Sequence, residues 1–541
     1  MLNLWYKNAV IYCVDVDAFL DTDGDGVGDF QGLADRLDHI EALGADCIWL
    51  LPFYPTPDRD NGYDITDYYG VDPRLGTLGN FVEFSNAARD RGLRVIVDLV
   101  VNHTSIDHPW FQASREGHPK YRDWYVWSKE KPEDADKGVI FPGVQESTWT
   151  FDRKRGEYYF HRFYKHQADL NIANPAVREE IQRIMGYWLQ LGVSGFRIDA
   201  VPFIIEDLKK PGDGLTPYDY LTEMRQFLSW RRAEAIMLAE ANVPMDQAND
   251  YFGDGDRLNL IFNFPLNQKL FLALARGDGR AVGDFLKGLP DIPLVGQWAT
   301  FLRNHDEIDL GRLADDERQE VFAAFGPEKS MQLYDRGIRR RLAAMLGGDE
   351  RRIAMAMSLM LSLPGTPVIW YGDEIGMGDN LDLPERQAVR TPMQWTPGKN
   401  GGFSSARPQD CVRLPIADGP FSYAHVHAMG QHVDPASLFA TTQRLIRARR
   451  SCPEIGWGQP QVVSGTPASV VALLYEWRGG RVLTLHNLAD SPVEIDCSHV
   501  VGDDAVRPML QAGIDIDRAS NHSRIRLAAY GYEWLRLEPA D

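Results

Sequence analysis

The stretch that decides the fold is Gly195-Phe-Arg-Ile-Asp-Ala200, answered further on by Ile236-Met-Leu-Ala-Glu240. Each is a short apolar run ended by a carboxylate, Asp199 in one and Glu240 in the other. Almost wholly apolar runs are how strands buried on both faces of a parallel sheet read. Similar runs lie on either side: Ala9–Val14, Cys47–Leu51 and Val95–Val100 before, Leu258–Phe262, Thr300–Arg303 and Pro367–Tyr371 after. Helical patterns separate them. Gly32–Leu43 and Phe81–Arg91 carry apolar residues at three-to-four spacing. Asn174 followed by Pro175 reads as an N-cap and first turn. Eight such alternations predict an α/β fold, a (β/α)8 TIM barrel, over residues 1–103 and 170–455.

Two stretches interrupt the alternation. Residues 104–169, rich in Trp, Tyr, Pro and Gly and without a helical period, are expected to form a domain inserted after strand 3. A charged insertion, about Glu307 to Gly348, follows strand 7. Long insertions at strand C-termini stand over the catalytic face of a barrel, so both are candidate walls of a site. A helix at Ala440–Arg450 precedes residues 456–541, where short alternating strands with Gly, Asp and Asn turns predict a C-terminal antiparallel β-sandwich domain. The apolar run Ala354–Tyr371 is broken by Pro364, Gly365 and Pro367 and reads as a buried helix, a turn and a strand.

A formal net charge of −20 disfavours nucleic acid and anionic membranes as partners but is indifferent to a neutral sugar. The 14 Trp, 21 Tyr and 24 Phe supply a large core, and the same rings suit the apolar faces of sugars. The five cysteines are odd in number and widely spaced, which points to neither a zinc site nor a disulfide framework. They fit a cytoplasmic protein, and the N-terminus has no signal-peptide pattern. The chain is compatible with a monomer or a homo-oligomer.

Acidic residues recur at the predicted C-terminal strand ends: Asp98, Asp199 and Glu240, with Asp306 just past strand 7. Buried carboxylates are costly unless paired or functional, and four on one rim point to function. Without cysteines or close histidine pairs, such a cluster suits hard-metal binding or glycoside chemistry.

The segments Asp98-Leu-Val-Val-Asn-His103, Gly195-Phe-Arg-Ile-Asp-Ala200, Leu238-Ala-Glu-Ala-Asn242 and Phe301-Leu-Arg-Asn-His-Asp306 occur in that order. They resemble the four signature regions of glycoside hydrolase family 13, the α-amylase family. Asp60-Asn-Gly-Tyr-Asp64, Gln167-Ala-Asp-Leu-Asn171 and Gly365-Thr-Pro-Val-Ile-Trp-Tyr-Gly-Asp-Glu374 extend the likeness over nearly the whole chain. The resemblance implies a retaining double displacement: Asp199 as nucleophile, Glu240 as acid/base and Asp306 as stabiliser of the distorted sugar. It implies that Arg197 keeps Asp199 ionised, that His103 and His305 bind glucose hydroxyls, and that Tyr63 stacks on the ring. Asp60 would bind the far hydroxyls and pair with Arg390, closing the pocket to longer chains. Phe163 and Gln167 join the substrate-binding set on the same likeness.

The run Asp21-Thr-Asp-Gly-Asp-Gly-Val-Gly-Asp29 places carboxylates at alternate positions bent by glycines, a hard-cation pattern. It is not a full EF-hand, because Gly32 stands where Glu is required. The family likeness implies structural Ca²⁺ on Asp21, Asp23, Asp25, Asp29 and the Val27 carbonyl. It implies a second Ca²⁺ between Asn102, Asp169 and Glu206, with the Phe203 and Ile204 carbonyls. No cofactor is implied for the chemistry.

Within the family, Trp49-Leu-Leu-Pro-Phe-Tyr-Pro55, Tyr159-Phe-His-Arg-Phe163, Gly337-Ile-Arg-Arg-Arg-Leu342 and Arg390-Thr-Pro-Met-Gln-Trp395 are similar to the branch that interconverts maltose and trehalose. That likeness implies a small α-glucoside substrate and isomerisation inside one pocket. Three departures lie near the acceptor side: Cys13 where that branch usually has Glu, Asp17 where a basic residue is usual, and Val243 in place of Gln. The segment after Glu206 is also shorter than in that branch. An exo-acting α-glucosidase and a glucosyltransferase to another acceptor stay open beside the isomerase. Relatives that serve only as accessory proteins lose catalytic carboxylates, and this chain keeps all three.

Overall fold

The computed structural model describes residues 3–208, 216–510 and 524–539. Its centre is a closed barrel of eight parallel strands: β1 (Ile11–Val14), β2 (Cys47–Leu50), β3 (Arg94–Leu99), β4 (Gly195–Ile198), β5 (Ile236–Ala239), β6 (Leu260–Phe262), β7 (Gln297–Phe301) and β8 (Thr366–Trp370). The strands follow one another around the barrel in chain order, and β1 closes it against β8. Their residues are buried on both sides, because helices cover the outside and side chains fill the inside.

Most boundaries fall within two residues of the sequence reading. Strand β7 is the exception. It spans Gln297–Phe301 rather than Thr300–Arg303. Gln297 begins the strand because its amide donates to the carbonyls of Lys7 and Gly456, a long-range satisfaction that no local pattern displays. The segment Gly32–Leu43 forms two helices, Phe30–Asp35 and Leu37–Leu43, broken at Arg36. The helix after Asn174 runs Pro175–Gln190, and the Asn174 side chain accepts from the Ala176 N–H. The apolar run resolves into a helix, Glu350–Ser362, and then β8. Among the described residues no helix is long and apolar enough to cross a membrane.

The inserted region is tied at its neck by His103–Ser105 pairing antiparallel with Gln167–Asp169. It holds a three-stranded sheet and, against expectation, one helix, Pro109–Arg115. Seven residues are too few to display a period, and it is Pro109 at the first turn with His108 as cap that marks the helix. The insertion after β7 carries the helix Asp315–Phe325 and a small sheet of Ile308–Asp309, Gly337–Ile338 and Gln332–Leu333. The C-terminal region is a five-stranded antiparallel sheet with a two-stranded sheet, Val493–Asp496 and Arg524–Leu527. Leu483, Leu485, Ile495, Ile525 and Leu535 form its own apolar cluster. It docks on the helix Glu350–Ser362 through Ser358, which bonds His486 and Trp534. The shortened segment after Glu206 reaches 209–215, outside the described residues.

Candidate active site

The site forms at the carboxyl ends of the strands. Gly195 opens β4 with φ +147°, and a Cβ there would stand 2.3 Å from the Ile236 carbonyl oxygen, so only glycine lets β4 and β5 approach. Two residues on, Arg197 is buried, with its guanidinium among three carboxylates. Its Nη1 donates to Asp98 Oδ1 and Asp199 Oδ1, each at 2.6 Å, and its Nη2 to Glu240 Oε2 at 2.6 Å. Burial opposes the charge of Arg197, and Asp98, Glu240, Tyr63 and Asp199 outweigh it, so the group stays cationic.

Asp199, Glu240 and the neighbouring Asp306 sit in different electrostatic environments. Burial raises Asp199 above the usual carboxylate range, with Arg197 opposing it. Burial, partly offset by Arg197, and repulsion from Asp199 and Asp306 push Glu240 up to about 8. Near neutral pH Glu240 therefore holds a proton. Asp199 and Glu240 each bond a terminal nitrogen of the same guanidinium at 2.6 Å, which sets them side by side and suits the retaining class. Burial also works against ionisation of Asp306, but Arg386 above all, with Arg390 among the further causes, holds it well below the usual range. Environments that drive paired carboxyls apart in this way separate acid from nucleophile.

These groups line a cavity of about 330 Å³. Of the residues singled out in the sequence, Asp60, Tyr63, His103, Phe163, Gln167, Asp199, Glu240 and Asp306 reach its wall. Arg197, His305 and Arg390 stand behind it. His305 Nε2 bonds Tyr63 Oη at 2.7 Å, with the two rings stacked 5.7 Å apart. His305 therefore orients Tyr63 instead of facing the cavity, and burial holds its imidazole well below the ordinary histidine range, hence neutral. His103 turns Nε2 to the Tyr63 carbonyl at 3.1 Å. The expected Asp60–Arg390 pair does not form. Asp60 accepts from Gln167 Nε2 at 2.8 Å, whereas Arg390 donates to the His305 carbonyl at 2.8 Å and to Asp306 at 3.2 Å. The backbone carbonyl captures the guanidinium fork and aims it at Asp306.

Sequence reasoning missed Arg386. It joins Asp306 at 3.2 Å and Glu307 at 2.8 Å and lies over the Phe141 ring. Its spacing from Arg390 in Glu385-Arg-Gln-Ala-Val-Arg390 was the available signal. Also missed was the roof. Tyr164 of the inserted region and Tyr334 of the β7 insertion both donate to Glu385 Oε2, at 2.7 and 3.1 Å. Arg336 Nη1 reaches the Ile140 carbonyl at 3.0 Å, and Phe141 packs between Tyr164 and Tyr334. Three separate segments thus meet above the cavity.

The two expected cation sites fare differently. Asp21, Asp23 and Asp29 each bring one carboxylate oxygen within 4.8 Å of the others, an all-oxygen set that fits a hard cation. Asp25 stands outside that group, its Oδ1 accepting from the Val27 N–H at 2.7 Å. In the second set the Asn102 Oδ1 is buried without a hydrogen-bond partner. Asn102 Nδ2 bonds Asp169, while Glu206 is exposed and pairs with Arg162 Nη2 at 3.4 Å. Arg162 also lies over the Phe203 ring, and its N–H donates to Asp169 at 2.9 Å. Arg162 of the inserted region thus ties that region to the barrel beside Asp169, Phe203 and Glu206.

A (β/α)8 barrel carrying an Asp/Glu pair on one buried arginine at its strand ends defines a retaining glycosidase or transglycosidase. The family profile described as alpha amylase, catalytic domain, matches residues 13–326 and 328–458, and one described as sucrose hydrolase-like, C-terminal domain, matches 479–536. The chain belongs to the α-amylase family. It is 40% identical over 541 residues to the trehalose synthase of Thermus thermophilus, covering 99% of this chain and 56% of that protein. It is 40% identical over 545 residues to a trehalose synthase/amylase of Mycobacterium tuberculosis (strain ATCC 25618 / H37Rv), covering 98% and 90%. Among solved structures, the trehalulose synthase of Pseudomonas mesoacidophila MX-45 superposes with a TM-score of 0.79 at 25% identity, covering 99% of each chain.

Proposed function

We propose that this enzyme converts maltose to trehalose by two displacements in one closed pocket. Asp199 attacks the anomeric carbon of the non-reducing glucose. Glu240 gives its proton to the glycosidic oxygen as that bond breaks, and glucose is released into the cavity. The freed glucose turns. Its α-anomeric hydroxyl gives a proton back to Glu240, its oxygen takes the anomeric carbon, and the bond to Asp199 breaks. Two inversions leave the donor centre in its α configuration. Asp306, held ionised by Arg386 and Arg390, stabilises the oxocarbenium-like sugar, and Asp60 binds its far hydroxyls. A cation on Asp21, Asp23 and Asp29 would serve structure alone.

The observation that carries the reading is that the junction of Tyr164, Tyr334 and Glu385 holds together the segments whose Ile140, Phe141, Arg336 and Arg386 line the same cavity as Asp199 and Glu240. An isomerase must keep water out and glucose in, or hydrolysis wins. The trehalose synthases among its relatives support the same choice of acceptor. Five buried free cysteines favour a reducing compartment, and we place the enzyme in the cytoplasm. Incubation with maltose and chromatographic resolution of the products tests the reaction. Trehalose as main product is expected; glucose alone would replace the isomerase with a hydrolase, and mixed glucosides with a transferase.

A further inference from the structure

The exit of β1 carries Asp15 and Asp17, both buried and neither part of the chemistry above. Arg413 reaches them from a distant segment and is itself 2% exposed. Its Nη1 donates to Asp17 Oδ1 at 2.7 Å, and its Nη2 to Asp17 Oδ2 at 3.2 Å, with Asp15 Oδ2 at 3.5 Å. The same Nη2 donates to Asn61 Oδ1 at 3.0 Å. Asn61 is the residue after Asp60, the carboxylate assigned to the far hydroxyls of glucose.

The turn that presents Asp60 needs holding. Asp58, Asn61 and Gly62 all have positive φ, at 60°, 47° and 90°. A left-handed backbone at residues other than glycine persists only where its surroundings impose it. Asp64 fixes the turn from within, accepting from the N–H groups of Asp60 and Arg59. Arg74 grips its entry through Asp58 at 2.6 Å, and Arg59 binds Asp107. Arg413 grips the exit. Its own segment is fastened to the acidic loop: the Val412 N–H donates to the Gly26 carbonyl, Ser404 Oγ to Asp21, and the Asp21 N–H to the Phe403 carbonyl.

We propose that Arg413 is a positioning residue for sugar recognition, bridging Asp17 to Asn61 so that the 58–62 turn presents Asp60 to the non-reducing glucose. The inference rests on reading the cavity as a glucose pocket. A planar fork is required, because one group must satisfy both Asp17 oxygens and the Asn61 amide at once. Lysine supplies the charge without that geometry.

The test uses the full chain and p-nitrophenyl α-glucoside, whose cleavage needs the glucose pocket but no sugar acceptor. Asn61→Gly keeps the left-handed turn and removes the contact; Arg413→Lys keeps Asp15 and Asp17 beside a cation. Both are expected to raise KM by about tenfold, the worth of one charge-assisted hydrogen bond. Both should leave kcat within about twofold, since uniform binding is what is lost. The unchanged Tm of Asn61→Gly separates positioning from general loosening. An unchanged KM in two folded variants, or a fall in kcat at constant KM, overturns the proposal. The product pattern of the wild-type enzyme on maltose is a separate result, so the isomerase reading can fail while this one stands.

Discussion

Replacing Glu385 with Gln loosens the roof while keeping its shape. Glu385 Oε2 accepts from both Tyr164 and Tyr334, so the two insertions meet on one charged oxygen. A hydrogen bond to a charged group contributes about 1.5–3 kcal/mol and one between neutral groups about 0.5–1.5, so each bond weakens by about 1 kcal/mol. The sum, about 2 kcal/mol, moves the balance between closed and open roof by about thirtyfold. Glu385 does not line the cavity, whereas Arg386 beside it does, so the cleavage machinery is untouched. The assay is turnover of maltose with glucose and trehalose quantified together, alongside hydrolysis of p-nitrophenyl α-glucoside. The share of free glucose from maltose should rise severalfold while the aryl-glucoside rate stays within about twofold. An unchanged glucose share in the folded variant would refute the argument that this contact excludes water.

Asp199→Asn should fold, because Arg197 keeps Asp98 and Glu240 as partners, yet lose at least about 10⁴-fold in kcat on any α-glucoside; retained activity would remove Asp199 as nucleophile. Glu240, raised to about 8 by burial, Asp199 and Asp306, must be protonated for the first step. The rate kcat/KM on maltose should therefore hold below that pH and fall as pH rises through about 8, a limb that Glu240→Gln would abolish together with most of the activity. Arg386→Met should raise the pKa of Asp306 and add an acid limb to the profile, visible as activity lost on lowering the pH; an unaltered acid side would show that Arg390 suffices. Stripping divalent cations should lower Tm, and Ca²⁺ should restore it in a concentration-dependent way, by about 2.7 kcal/mol at a hundredfold excess over Kd. No shift in Tm on chelation would dismiss the Asp21, Asp23 and Asp29 site.

The barrel was legible because each of its strands is a short apolar run with a distinctive end, and the period survives in sequence. The placement of Asp199, Glu240 and Asp306 on one cavity was legible for the same reason: strand ends fix residues in space as well as in sequence. What stayed hidden depends on contacts between segments far apart in the chain. Arg390 lay close to Asp60 in expectation, but a backbone carbonyl at His305 sends it to Asp306 instead. Arg162 of the inserted region, which pairs with Glu206 and donates its backbone N–H to Asp169, had no local signal either. Arg413, 396 residues from its partner Asp17, has no local signature at all. The departure at Asp17 was visible in sequence, and its compensating cation was not.

Isomerisation in one pocket requires that the glucose released in the first step never leaves. Isolating trehalose formed from unlabelled maltose in the presence of excess ¹³C-glucose measures this directly. Trehalose carrying almost no label, as the main product, is the predicted result. Trehalose labelled in one ring in proportion to the free glucose, or no trehalose at all, would contradict it.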